Sequence, residues 1–296
     1  MRLVRGSITI LLLALNTLLL GTPILLGGVV RLLTPEGPRR RRVILYIAGL
    51  AETWVANNDR ILDAMVDTAW DIAGVDNLRY DGHYLITSNH LSWVDIIVLF
   101  RAFHRKAAIP RFFLKQQLIW MPIVGQACWA LEFPFMRRHT AEYLEKHPEK
   151  RGEDLETTRK ACRRYRNFPV AVLNFLEGTR FTKAKHHEQQ SPYRHLLRPR
   201  IGGTSFVLAS LGDQLDAIYD VTVVYPPNNV MTLGRFVSGR APKIIIDARR
   251  IDVPPQFFDP AVTRPGPERD ALKAWIEQVW MEKDALMTRL LATTST

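Results

Sequence analysis

Cysteine is nearly absent from this chain of 296 residues: Cys128 and Cys162 are the only two, and they do not form a C-x-x-C pair. A disulfide framework and a zinc knuckle are thereby excluded, and the thiols read as core residues of a reducing compartment. Acidic residues are also in short supply, 29 Asp+Glu against 40 Lys+Arg, for a formal net charge of +11. That surplus attracts polyanions, whether anionic lipid, nucleic acid or a phosphorylated cofactor, and does not choose among them. Internal repeats and low-complexity tracts are missing. So are a G-x-S-x-G nucleophile elbow, a P-loop and a dinucleotide fingerprint; Gly202-Gly203-Thr204-Ser205 matches neither of the last two. His186-His187-Glu188, with His195 nearby, has no metal-ligand spacing and reads as a solvated loop, so no metal is expected.

Charge is wholly lacking from Ile8 to Val30, a stretch dominated by Leu, Ile and Val. As a helix it is long enough to cross a hydrocarbon layer of about 30 Å, so it is expected to enter a membrane. Asn16, Thr17, Gly21, Pro23, Gly27 and Gly28 interrupt it, which leaves a straight span and a bent or re-entrant arrangement both open. A cleaved signal peptide is the further alternative, but no small-x-small cleavage site follows the apolar run. Arg39-Arg40-Arg41-Arg42 comes next, and a basic run beside an apolar segment stays cytoplasmic and binds anionic headgroups. The expectation is a chain anchored to the cytoplasmic membrane by its N-terminus, its catalytic portion on the cytoplasmic side. From Val43 to Trp70, apolar residues at helical spacing (Ile44, Ile47, Leu50, Trp54, Ile61, Met65) predict an amphipathic helix resting on the bilayer or the core.

After Asp76 the pattern changes to short β-like runs alternating with helical ones. The fold class expected is α/β, a mixed central sheet flanked by helices, with an N-terminal membrane-embedded helical segment. Residues 1–70 form that segment and residues 71–296 the α/β domain. Asp81-Gly82 predicts a hairpin between Leu78-Arg79-Tyr80 and His83-Tyr84-Leu85-Ile86. Further strands are expected at Ala107 to Leu114, Leu131 to Met136, Val170 to Leu176, Ala217 to Tyr225 and Lys243 to Asp247. Helices are expected at Trp93 to Phe103, Gln116 to Ala127, Glu153 to Tyr165, Gly203 to Leu211 and Glu268 to Leu291. The proline-rich Val253 to Pro267 predicts an irregular connection.

Two polar blocks follow apolar runs: Asn89-His90 with Asp95, and Glu177-Gly178-Thr179-Arg180. Polar side chains at strand exits line clefts in α/β folds, so both blocks could face one cavity. An alcohol is a poor nucleophile near neutral pH, and a histidine titrating there is a suitable base. Asp95 could fix the tautomer of His90 and stabilise the imidazolium, with the substrate hydroxyl as nucleophile. The competing reading is structural: Ser92-Trp93-Val94-Asp95 has the S-x-x-D form of a helix-start capping box. One carboxylate can do both. In the second block Gly178 allows φ > 0, Thr179 and the following amides can bond an anion, and Arg180 can grip a phosphate through two N–H donors. The bland alternative is a strand-end turn with a Glu177–Arg180 ion pair. A third block, Phe133-Pro134-Phe135-Met136-Arg137-Arg138, again puts arginines just past an apolar run.

With these blocks in this order, the chain resembles the glycerolipid acyltransferase family, which includes 1-acyl-glycerol-3-phosphate acyltransferases. The likeness covers roughly Leu78 to Pro226. It implies that His90 is the general base and Asp95 its partner, without a covalent acyl-enzyme, Asn89 and Ser92 supporting them. It further implies that Glu177, Gly178, Thr179 and Arg180, with Arg137 and Arg138, contact the phosphate of the acceptor. The expected reaction moves a fatty acyl group from acyl-CoA or acyl carrier protein, as co-substrate, to a lysophospholipid hydroxyl, foremost that of 1-acyl-sn-glycerol-3-phosphate. The expected partners are membrane lipids and the acyl carrier, with no nucleic acid and no resident cofactor. Other lipid acceptors, or a non-catalytic basic membrane-binding module, are the alternatives. Three departures stand out: the block ending at Arg137-Arg138 lacks the glycine usual a few residues before the arginine, Leu176 replaces the proline that normally precedes the glutamate, and the proline-containing block around Val221 to Pro226 is only partly kept.

Overall fold

A computed structural model describes residues 2–136, 153–166, 168–227 and 229–293. Two long helices come first, α1 (Arg2–Leu33) and α2 (Pro38–Met65), joined by a short turn and packed side by side. Pro23 lies inside α1 without ending it. The residues that interrupt the apolar run turn inward. Asn16 donates to Asn58 Oδ1 at 2.8 Å and to the Trp54 carbonyl at 3.0 Å, and accepts from Asn57 at 3.1 Å, while Trp54 Nε1 donates to Thr17 Oγ1 at 3.0 Å. Gly28 lets α1 approach the helix α4 (Val124–Ala130) closely, since a Cβ there would meet that of Ala130 at 2.6 Å. The leucines and valines between these positions, among them Leu11, Leu15, Leu18, Leu26 and Leu33, face outward.

The chain then builds a sheet from β1 (Ala69–Ala73), β2 (His83–Ser88), β3 (Pro110–Phe112), β6 (Val170–Phe175), β7 (Ala217–Val224) and β8 (Lys243–Ile251) in the order β1-β8-β7-β2-β6-β3. All pairings in it are parallel except β7 with β8. β4 (Leu114–Lys115) and β5 (Phe135–Met136) form a small separate pair. Alternate residues serve two cores: Tyr84, Ile86, Ala171, Leu173, Val221 and Val223 pack toward α2 and α3 (Val94–Phe103). Leu85, Val170, Val172, Ile218 and Ile245 pack toward α5 (Glu153–Tyr165), α7 (Gly202–Leu211) and α9 (Pro267–Ala292). Two short helices, α6 (Lys183–Glu188) and α8 (Leu233–Val237), complete the fold. The α/β class with a mixed sheet between helix layers matches the expectation.

Several expected elements differ. The strand expected at Ala107 to Leu114 is the two short strands β3 and β4, which belong to different sheets, and His186-His187-Glu188, read as a loop, ends helix α6. The hairpin at Asp81-Gly82 is a turn only, Gly82 N donating to the Arg79 carbonyl at 3.0 Å; β2 has both edges filled by β6 and β7, so Leu78–Tyr80 has no ladder to join. The helix expected from Gln116 to Ala127 is split into a 3-10 turn (Gln116–Trp120) and α4 by Pro122 and by Ile123 at φ 64°. In Leu131 to Met136 only the last two residues are strand, because Leu131 and Glu132 still belong to the end of α4 and Glu132 sits at φ 64°.

Candidate active site

β2 and β6 run parallel and in register, Ser88 beside Phe175, so the residues leaving both strands meet at one end of the sheet. Here the two polar blocks are tied through the His90 backbone. His90 N donates to Glu177 Oε1 at 2.8 Å, and Phe181 N donates to the His90 carbonyl at 2.7 Å. The His90 ring stacks on Phe175, centroids 4.0 Å apart and planes at 19°. Asn89 anchors the segment from the other side, exchanging bonds of 2.8 and 2.9 Å with the Val223 carbonyl and amide of β7.

His90 Nδ1 lies 2.8 Å from Asp95 Oδ2. Asp95 is fully buried, and its Oδ2 also accepts the Leu91 and Ser92 amides at 2.7 and 2.8 Å while Oδ1 accepts the Tyr225 hydroxyl at 2.5 Å. Four donors converge on this one carboxylate in the first turn of α3. With Nδ1 donating to Asp95, Nε2 is left as the free acceptor nitrogen on a ring that is 15% exposed. Capping and histidine orientation, the two readings of Asp95, therefore coexist in one group. Ser92 contributes by accepting the Val94 amide at 3.2 Å.

Glu177 departs from the role that the resemblance implies. It is fully buried, and its second oxygen accepts the Leu197 amide at 3.1 Å, so the carboxylate faces inward as a brace between His90 and the 197 strand of chain rather than outward to a phosphate. Burial pushes it up to about 8, against the pull of those two amides. The Glu177–Arg180 ion pair of the bland alternative does not form; Arg180 is exposed and lies over the Trp93 ring at 4.9 Å. Gly178 takes φ 65°, Thr179 Oγ1 accepts from Lys185 Nζ at 2.7 Å, and Lys185 also donates to the Arg180 carbonyl at 3.1 Å. Arg137 and Arg138 lie outside the described residues.

Four contributors were not among the expected site residues. Tyr225 stood in the quoted block before Pro226, but only the fold brings its hydroxyl to Asp95. Arg200 lies against Gly178, where a Cβ would meet its Cδ at 3.0 Å, and so adds a second guanidinium beside Arg180. From α9, Trp280 Nε1 donates to the Leu197 carbonyl at 2.9 Å and buried Lys283 meets Asp220 at 3.0 Å. Burial lowers the Lys283 ammonium from its ordinary value. Nothing local in the sequence marks a helix residue as support for a loop more than eighty positions earlier.

Residues 70–225 match the Acyltransferase family. The chain belongs to that family. It is 29% identical over 226 residues to mouse (Mus musculus) 1-acyl-sn-glycerol-3-phosphate acyltransferase epsilon, covering 68% of this chain and 56% of the relative. It is 27% identical over 304 residues to zebrafish (Danio rerio) lysocardiolipin acyltransferase 1, covering 98% of this chain and 72% of the relative. The chain thus spans little more than half the length of the first of these. The crystal structure of PlsC, a 1-acyl-sn-glycerophosphate acyltransferase from Thermotoga maritima, shares the fold with a TM-score of 0.53 at 16% identity, covering 97% of this chain and 98% of that one. The α9 residues that brace the site lie beyond the stretch matched to the family.

Proposed function

We propose that this acyltransferase-family member moves a fatty acyl group from a thioester donor, acyl-CoA or acyl carrier protein, to the hydroxyl of a lysophospholipid, foremost 1-acyl-sn-glycerol-3-phosphate. The observation that carries the reading is the His90–Asp95 pair, with Nε2 free, held beneath Gly178–Arg180 by the paired bonds to Glu177 and Phe181. The acceptor hydroxyl gives its proton to Nε2 as its oxygen attacks the thioester carbonyl; the thiolate leaves and recovers the proton, so the acyl group passes directly between substrates. Arg180 and Arg200, with the backbone at Gly178, supply the seat for the acceptor's phosphate. The step uses no metal and no resident cofactor.

The N-terminal pair supports a place at the cytoplasmic membrane, with the α/β domain on the cytoplasmic side and residues 1–70 as the membrane-associated part. α1 is long and apolar enough to cross a membrane by length and composition. Its outward leucines are bordered by exposed Trp120, Met121 and Val124, because Ile123 packs at Gly21. Helix, tryptophan and leucines offer one apolar platform to lipid.

The test is product analysis by mass spectrometry after supplying the purified chain with labelled acyl-CoA or acyl carrier protein and a panel of lysophospholipids. Phosphatidic acid formed from lysophosphatidic acid is the expected product. A stronger rate with another lysophospholipid would reassign the acceptor, and no transfer with any pair would favour a non-catalytic membrane-binding module.

A further inference from the structure

At the other end of β6 from His90, the α1–α2 turn and the end of α5 enclose a cavity of about 590 Å³ lined by Arg40, Arg41, Arg42, Arg164, Glu132 and Phe168. Arg164 and Phe168 precede β6, whereas His90 stacks on Phe175 at its exit. Five residue steps of strand, about 17 Å, therefore lie between the cavity's edge and the catalytic imidazole.

Among the described residues, few partners meet the cavity's charges. Glu132 Oε1 is already held by buried Arg31 at 2.5 Å, and Arg164 reaches it only at 4.0 Å. Arg40 is 3.8 Å from Glu36, which is 90% exposed. The exposed guanidiniums of Arg41 and Arg42 make no ion pair or hydrogen bond among the described residues. Consecutive guanidiniums at the start of α2 repel one another and also face the positive end of that helix, an arrangement relieved by an anion. Its other lining is apolar: Pro38, Ile44, Leu45 and Phe168. Leu32 and Leu33, which end α1, and Tyr46, beside Leu45, are exposed close by in the chain. A phosphate set against an apolar wall describes a lipid rather than a free ion or a polar nucleotide.

We propose that this cavity holds the phosphate headgroup of an anionic membrane phospholipid, as a second lipid site separate from the acceptor's seat beside His90. The inference rests on the reading of the chain as a membrane-seated enzyme. It makes attachment and orientation depend on the anionic lipid content of the bilayer, since the enzyme would be held at one end of its sheet while the other end works on substrate.

Sedimentation of the full chain with phosphatidylcholine vesicles, with and without phosphatidylglycerol, tests the site. Arg41→Gln and Arg164→Gln should each weaken binding to the phosphatidylglycerol vesicles by about fivefold. The double variant should lose less than the product of the two, because both arginines grip one group. Arg39→Gln, which removes the same charge from the same run outside the cavity, should lose distinctly less, and binding to pure phosphatidylcholine should stay unchanged in all. Equal losses for Arg39→Gln and Arg164→Gln would overturn the site in favour of a diffuse basic surface. Release from vesicles by inorganic phosphate, beyond that caused by sodium chloride of equal ionic strength, would overturn the lipid in favour of a free anion. Acylation of lysophosphatidic acid in neutral detergent micelles should be the same for Arg164→Gln and the parent; a loss there would merge the cavity with the acceptor seat and sink the second site. Vesicle binding is read without turnover, so a parent chain with no transfer would remove the proposed function and leave this result standing.

Discussion

The two parts of the molecule are built on opposite plans. Along β2, β6 and β7 nearly every side chain is buried, and most are apolar because both faces are covered by helices. Along α1 the order is reversed: Thr9, Asn16 and Arg31 are buried, together with Gly21 and Gly28, while the leucines stand outside. The sheet is arranged for water beyond its helices, and α1 for a surrounding that is itself apolar. The difference teaches that polar residues can serve as the glue of one region and the chemistry of the other. Asn16 joins two helices, whereas His90 and Asp95, equally well bonded, keep one nitrogen free.

That contrast can be sharpened by uncoupling the two regions. His90→Ala should lower acyl transfer by about 10²–10⁴-fold while vesicle binding and the melting temperature stay close to the parent's; a variant retaining most of its transfer would remove the imidazole from the mechanism. Glu177 gives the next effect, in stability. Its folded value of about 8 lies above the ordinary 4.5, so between these the folded state keeps a proton that the unfolded chain has released. Stability should therefore fall as pH climbs from about 5 to about 8, on the order of a few kcal/mol, and level off above that. Urea midpoints at several pH values should show a smaller slope for Glu177→Gln than for the parent. Within the helix pair, Asn16→Leu strands Asn57, Asn58 and the Trp54 carbonyl and should cost about 1–3 kcal/mol in detergent. Leu11→Asn on the outward face should change stability by less than about 0.5 kcal/mol yet weaken vesicle binding about tenfold. The reverse outcome would break the comparison. Tyr225→Phe should cost about 1–2 kcal/mol in stability, since Asp95 keeps three of its four donors.

Much of this was legible in the residues because it is local. The strand runs Val170–Phe175 and Ala217–Val224 announce themselves by β-branched content, and the helix Glu153–Tyr165 by its charge spacing. The His90–Asp95 partnership could be read from spacing, since a turn followed by a helix start brings positions five apart together. Failures cluster where a tertiary contact overrides a local signal. Asp81-Gly82 has the chemistry of a hairpin turn, but the edges of β2 were claimed by distant strands. Glu177, a charged residue after a strand, reads as exposed, yet two backbone amides from positions 90 and 197 accommodate it inside. No pattern marks Trp280 or Lys283, whose positions depend on how α9 packs.

The paired bonds between His90 and residues 177 and 181 carry one more implication. Because the imidazole is set in place by segments almost ninety positions downstream, a fragment ending before β6 would contain the dyad's sequence and no working centre. The active arrangement arrives only with the completed parallel pairing of β2 and β6, a long-range contact of the kind that a folding polypeptide makes slowly.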